Sequence, residues 1–140
     1  MDALDSRINK FRNLVDKDLE SIYNSGPDSL VSPINYVLKG KGKRLRPILT
    51  LIICEMNNIS INTSMPSALS IELLHNFTLI HDDIMDKDII RHGIETIHKK
   101  WDENTAILAG DAMLAISLKM LFKNSHKNND LIMRTFINGL

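Results

Sequence analysis

The residues with the most chemical potential are Asp82-Asp83-Ile84-Met85-Asp86. On a helix, Asp82 and Asp86 stand four positions apart and share one face. Carboxylates at a helix C-terminus meet the negative end of the macrodipole and repel each other, so this pair calls for a cation. Paired oxygen-only ligands suit Mg²⁺, which takes one or two carboxylates and completes its shell with water and phosphate oxygens. His75 precedes Asp82 by seven residues and Asp86 by eleven. At about 100° per residue the three lie within roughly 40° of one stripe. With Leu73, Leu74 and Phe77 around it, His75 is expected to face a cavity, whereas His81 lies off the stripe and is expected to be structural. A calcium loop starting at Asp82 would need glycine where Lys87 stands and glutamate where Gly93 stands. His81-Asp82 matches the short signature of His-Asp phosphohydrolases, but those need a histidine on an earlier helix, and none precedes His75.

Two basic segments flank this helix. Lys39-Gly40-Lys41-Gly42-Lys43-Arg44-Leu45-Arg46-Pro47 sets five cations around two glycines just ahead of a helix. Glycine lets the backbone approach a ligand, a helix N-terminus favours an anion, and Lys and Arg give charge-assisted donors. The spacing is not that of a P-loop. Arg91-His92-Gly93 follows the carboxylates, where a cation can hold the phosphate whose metal the aspartates bind. Acid pairs, a histidine and two basic clusters together describe a site for more than one polyphosphate.

The elements that must position these groups are helices, and strand signals are weak. Ile8, Phe11, Leu14, Val15, Leu19 and Ile22 recur at helical spacing, ending near Gly26-Pro27. Leu30 to Leu38 reads as a second helix. A third runs from Pro47, suited to a first turn, to about Met56. Asn57 to Ser64 reads as a polar loop, and Pro66 as the start of a long helix through about Asp86. Ile89 to Trp101 reads as a loop, Glu103 to Phe122 as an apolar helix, and a last helix starts near Asn129. That helix carries Leu131, Ile132, Phe136, Ile137 and Leu140 with nothing to cover them, so the chain is expected to be a piece of something longer.

At 140 residues, 44% of them hydrophobic, the chain can bury one core, and residues 1–140 read as part of a single domain. Lys plus Arg and Asp plus Glu both number 17, so net charge argues for no nucleic-acid partner and phosphate recognition must be local. Cys54 has no cysteine partner, and a reducing cytoplasm is the expected location. No apolar run approaches the ~20 residues of a membrane span.

In this order and spacing, Gly42-Lys43-Arg44-Leu45-Arg46-Pro47, Leu74 through Asp86, Arg91-His92-Gly93 and Ala109-Gly110-Asp111 resemble the trans-isoprenyl diphosphate (polyprenyl) synthase family. The resemblance runs from about Leu30 to Leu140. It implies an all-α antiparallel helical bundle of the isoprenoid synthase type, here truncated, and a homodimer in the full-length protein. It implies that Asp82, Asp83 and Asp86 bind Mg²⁺ holding an allylic diphosphate, which Arg91 also contacts. Lys43, Arg46 and His75, with His92, match the set that binds isopentenyl diphosphate. Asp82, Asp86 and Arg91 would then be catalytic, ionising the allylic carbon–oxygen bond for attack by isopentenyl diphosphate.

Two departures stand out. The family usually has two arginines where this chain has Arg91-His92, and a histidine is shorter and only partly charged near neutral pH. A second aspartate-rich motif, which the family carries on a later helix, is not found in these residues, and Asp102-Glu103 is no substitute. The stretch alone is therefore expected to be inactive. Phe77, five positions before Asp82, with Thr78 beside it, resembles the short-chain geranylgeranyl and farnesyl diphosphate synthases, where a large ring floors the cavity for the growing tail. A non-catalytic partner subunit is the alternative expectation. A terpene cyclase is less favoured, since it needs no isopentenyl diphosphate site.

Overall fold

A computed structural model describes residues 3–40, 42–123 and 127–139. Lys41, one of the five cations of the first basic segment, and Leu140 fall outside them. The described residues form a bundle of helices with one small hairpin. The helices are α1 (Ala3–Glu20), α2 (Asp28–Leu38), α3 (Leu45–Met56), α4 (Ile61–Met85), α5 (Ile97–Lys100), α6 (Glu103–Phe122) and α7 (Asn129–Asn138), and strands β1 (Ile90–Arg91) and β2 (Ile94–Glu95) follow α4.

α4 begins five residues before Pro66, where the sequence pattern had placed its start. Ser60 caps it: its Oγ accepts from the Thr63 N–H, at 3.2 Å, and satisfies a donor with no partner inside the helix. Pro66 falls in the second turn, where its ring leaves the Asn62 carbonyl without an intrahelical donor, a cost the cap and the packing of α4 offset. The Asn57–Ser64 segment is thus a loop only up to Ser60.

The other end of α4 closes with a Schellman turn. Lys87 takes a left-handed φ of 59°, its N–H reaches the Ile84 carbonyl at 3.3 Å, and the Asp88 N–H reaches the Asp83 carbonyl at 2.9 Å. The turn throws the chain sideways, so that the segment after the carboxylates folds back beside α4. That segment is a β-hairpin rather than a plain loop. Ile90 pairs with Glu95 and Arg91 with Ile94, and the two turn residues have positive φ, His92 at 52° and Gly93 at 83°. A two-residue turn of this hand matches the strand twist and needs positive φ at both positions, which glycine supplies freely and histidine more readily than most residues. Thr96 anchors the hairpin through Oγ1 to the Asp88 carbonyl, 2.8 Å.

α4 and α6 make the most extensive contact of the bundle, with α3 against α4 and α2 against α6. Ala106, Ala109 and Gly110 put small residues on α6 and let its backbone approach α4. Leu69, Leu73 and Ile80 from α4 meet Phe11, Val15 and Leu19 of α1, Ile34 and Leu38 of α2, Ile48 and Leu51 of α3 and Met113 of α6 in one core. Burying each such side chain stabilises by about 1.5–3 kcal/mol. A buried polar clasp crosses the same seam: the Ser117 hydroxyl donates to the Ser70 carbonyl at 2.9 Å, with the two hydroxyls 3.0 Å apart. α6 is long and apolar enough to cross a membrane by length and composition, more so than the short uninterrupted runs of the sequence suggest. In the bundle it packs on α2, α4 and α5 as a core helix.

Candidate active site

The first basic segment reaches the site because Arg44 anchors it. Arg44 sits in the left-handed region, with φ of 51°, at the N-cap of α3, and its side chain is 4% exposed. Nε donates to Asp16 Oδ1 at 2.8 Å and Nη1 to Glu72 Oε1 at 2.9 Å, while Nη2 donates to the Leu38 and Gly40 carbonyls. One guanidinium therefore ties α1, the end of α2 and α4 together. A buried Arg so fully bonded is structural, and its two neighbours are left to meet solvent: Lys43 and Arg46 are exposed.

Lys43 and Arg46 border an open cavity of about 490 Å³ between the α2–α3 loop, α4 and the hairpin tip. His75 and His92 line it as well, with Asn76 and Leu79 on its α4 wall. The four residues expected to hold isopentenyl diphosphate thus converge on one space. Arg46 Nη1 lies 3.1 Å from His75 Nε2. A guanidinium has only donors, so His75 Nε2 accepts and the imidazole is neutral with its proton on Nδ1. Burial lowers the pKa of His75, and the positive charge of Arg46 lowers it further.

Ten Å or so along α4, by helix rise, is the carboxylate end. Asp82 and Asp86 are exposed and one turn apart, while Asp83 between them is buried. Arg91 is drawn to the buried one: Nε donates to Asp83 Oδ1 at 2.7 Å, Nη2 donates to the same oxygen, and Nη2 also reaches Asp88 Oδ2 at 2.9 Å. Burial pushes the Asp83 carboxyl up and the Arg91 hydrogen bonds pull it back, while the same contact raises Arg91. A guanidinium is always charged, so its bonds to Asp83 hold an ion pair.

The expected site residues therefore fall into four groups. Lys43, Arg46, His75 and His92 share the cavity. Asp82 and Asp86 form an exposed pair, and Asp83 stands apart from it, engaged with Arg91. Phe77 is half-buried against the core, and Thr78 is exposed with its hydroxyl on the His75 carbonyl, 2.8 Å. Among the described residues no group of three or more His, Cys, Asp and Glu side chains converges as a closed metal site. The exposed pair fits Mg²⁺ nonetheless, because that ion needs only one or two carboxylates when water and phosphate supply the rest. Asp102 is accounted for as the N-cap of α6, taking the Thr105 N–H at 2.7 Å, and those bonds lower its pKa.

Arg44 and Glu72 were hidden from sequence reasoning. Arg44 is one cation among five, and nothing in its spacing marks it as buried. Glu72, three residues before His75, was the available signal, since a carboxylate on that stretch of an apolar helix needs a partner.

A helical bundle thus presents a two-carboxylate helix end beside a cationic cavity. The chain belongs to the polyprenyl synthetase family, which it matches over residues 27–138. It is 43% identical over 97 residues to a geranylgeranyl diphosphate synthase of Methanosarcina mazei, covering 69% of this chain and 30% of that protein. Against a farnesyl diphosphate synthase of Micrococcus luteus the identity is 37% over 123 residues, covering 86% of this chain and 42% of the relative. The crystal structure of a geranylgeranyl pyrophosphate synthase superimposes with a TM-score of 0.85 at 38% identity, over 99% of this chain and 41% of that one. The chain thus spans between 30% and 42% of the length of these relatives.

Proposed function

We propose that the polypeptide containing this chain is a prenyltransferase that condenses isopentenyl diphosphate with an allylic diphosphate to make a short trans-prenyl diphosphate, geranylgeranyl or farnesyl. The observation that carries this is the convergence of Lys43, Arg46, His75 and His92 on one cavity beside the Asp82/Asp86 end of α4. Lys43, Arg46 and His92 present donors to the isopentenyl diphosphate, with Arg46 steered by His75. Asp82 and Asp86 would hold Mg²⁺, which when bound would supply Lewis-acid stabilisation of the negative charge leaving with the allylic diphosphate. Asp83 keeps Arg91 at the same end of α4, where its charge favours ionisation of the allylic carbon–oxygen bond. Holding the second substrate in the adjoining cavity puts its double bond within reach of the carbocation. The released diphosphate takes the proton lost on the way to product.

A homodimer in the cytoplasm completes the proposal. Exposed Ile107 and Leu108 on α6, 41% and 57% accessible, support a covered face, and the unpaired Cys54 thiol supports a reducing location.

Incubating the complete polypeptide with radiolabelled isopentenyl diphosphate, an allylic primer and Mg²⁺ tests the reading. Elongated product is expected, and EDTA abolishes it. Absence of turnover until a second synthase is added assigns the chain to a partner subunit instead, and hydrocarbon from the primer alone makes it a cyclase.

A further inference from the structure

The side of α4 that faces α6 carries a feature the proposed reaction does not use. Phe77 and His81, four residues apart, stack with ring centroids 4.7 Å apart and planes inclined at 56°. α6 passes directly behind the imidazole. A Cβ at Gly110 would lie 2.5 Å from His81 Nε2 and 2.6 Å from its Cδ2, closer than real atoms approach. His81 Nε2 is buried without a hydrogen-bond partner, and Asp111 Oδ1 is 3.6 Å away, beyond hydrogen-bond reach. Packing, not a bond at that nitrogen, holds this edge of the ring between Phe77 and the α6 backbone.

We propose that His81 and Gly110 form a backstop that immobilises the Phe77 ring and thereby sets the length of the prenyl chain. This rests on the prenyltransferase reading and on Phe77 as the floor of the tail cavity. A phenyl ring on a half-exposed helix face turns aside by changing rotamer, so alone it is a soft floor. With His81 against it and the bare α6 backbone against His81, the ring is braced on that side against a lengthening tail. Glycine at 110 is what lets the imidazole stand there, because any side chain would occupy the same space. His81 is a positioning residue in this account.

Product length, separated chromatographically after reaction of the complete polypeptide with Mg²⁺ and labelled isopentenyl diphosphate, is the readout. It is a ratio and does not depend on specific activity. Phe77→Ala is expected to lengthen the products. His81→Ala is expected to raise the ratio of longer to normal product about 2- to 10-fold, the range an aromatic contact commands. Gly110→Ala, which presses the imidazole onto Phe77, shifts the ratio toward shorter products. In the Phe77→Ala background, His81→Ala adds nothing further. His81→Leu, which restores volume without an imidazole, is expected to return the ratio toward normal, a test that holds even where Gly110→Ala does not fold. If Phe77→Ala leaves the distribution unchanged, the floor itself is wrong. If Phe77→Ala lengthens products and His81→Ala does not, the backstop is overturned and the prenyltransferase reading stands. His81→Leu behaving like His81→Ala would rule out a packing role.

Discussion

At the scale of single residues, Arg46 and His75 show what the surroundings add to spacing. The stripe through His75, Asp82 and Asp86 was readable because helix geometry depends only on residue number. That His75 accepts from Arg46, rather than acting as a cation itself, required the neighbouring helix to be in place. Likewise, Arg91 could be placed near the carboxylates from sequence, but its partner was legible only once the hairpin turned it onto the buried Asp83. Arg46→Ala is expected to raise the KM for isopentenyl diphosphate roughly 10- to 100-fold, as loss of a charge-assisted bond implies, with a smaller change for the allylic substrate. Equal rises for both substrates would contradict the assignment of the cavity. The depressed pKa of His75 has a stability consequence as well. Between its folded value and the unfolded value of about 6.5, the unfolded chain binds the proton and the folded one does not, so stability rises with pH there. Its contribution is complete above about pH 6.5 and is lost as pH falls through the folded value. His75→Gln should flatten that limb of a stability–pH profile measured by urea unfolding.

At the scale of elements, helices of strong period were readable and their ends less so. Pro66 looked like a helix start because proline is favoured in a first turn, but the capping hydroxyl of Ser60 lies further upstream and won. Ser60→Ala is expected to cost about 0.5–2 kcal/mol, measurable as a shift in denaturation midpoint without a change in slope. The hairpin escaped because strands of two residues have no period to detect and His-Gly is not the usual turn pair. Lys87 offers the opposite test. Its left-handed conformation costs about 1–2 kcal/mol for a residue with a Cβ, whereas glycine loses about 0.5–1 kcal/mol of extra chain entropy. Lys87→Gly should therefore stabilise the protein by about 0.5–1 kcal/mol, and a destabilisation would mean that the lysine side chain makes a contribution of its own.

At the scale of the whole molecule, the helices and their order followed from hydrophobic period, because α1, α4 and α6 each bury a long apolar surface, while their arrangement as a bundle followed from the family resemblance. The joint that aligns them was not visible in that pattern. Arg44 connects residues 28 positions away in both directions, Asp16 and Glu72, and such a pairing leaves no trace in local spacing. Arg44→Met strands the Glu72 carboxylate, whose side chain is 5% exposed, and should cost about 3–5 kcal/mol. Against a typical stability of about 5–15 kcal/mol that is a large share. Converting Glu72 to Met as well should recover much of the loss in the same urea titration, since an apolar pair of similar volume replaces the buried ions. A double variant no better than the single one would show that the ion pair itself sets the α2–α3 loop.

The two-residue turn at His92-Gly93 carries a further consequence, one of parity. Arg91 and His92 are successive residues, and the hairpin hands the first to Asp83 and the second to the cationic cavity. Which surroundings each one meets is decided by counting along the arm, not by what the side chains are. Exchanging either for another basic residue leaves the two addresses intact, while adding or removing one residue between Asp88 and Gly93 delivers each side chain to the wrong door.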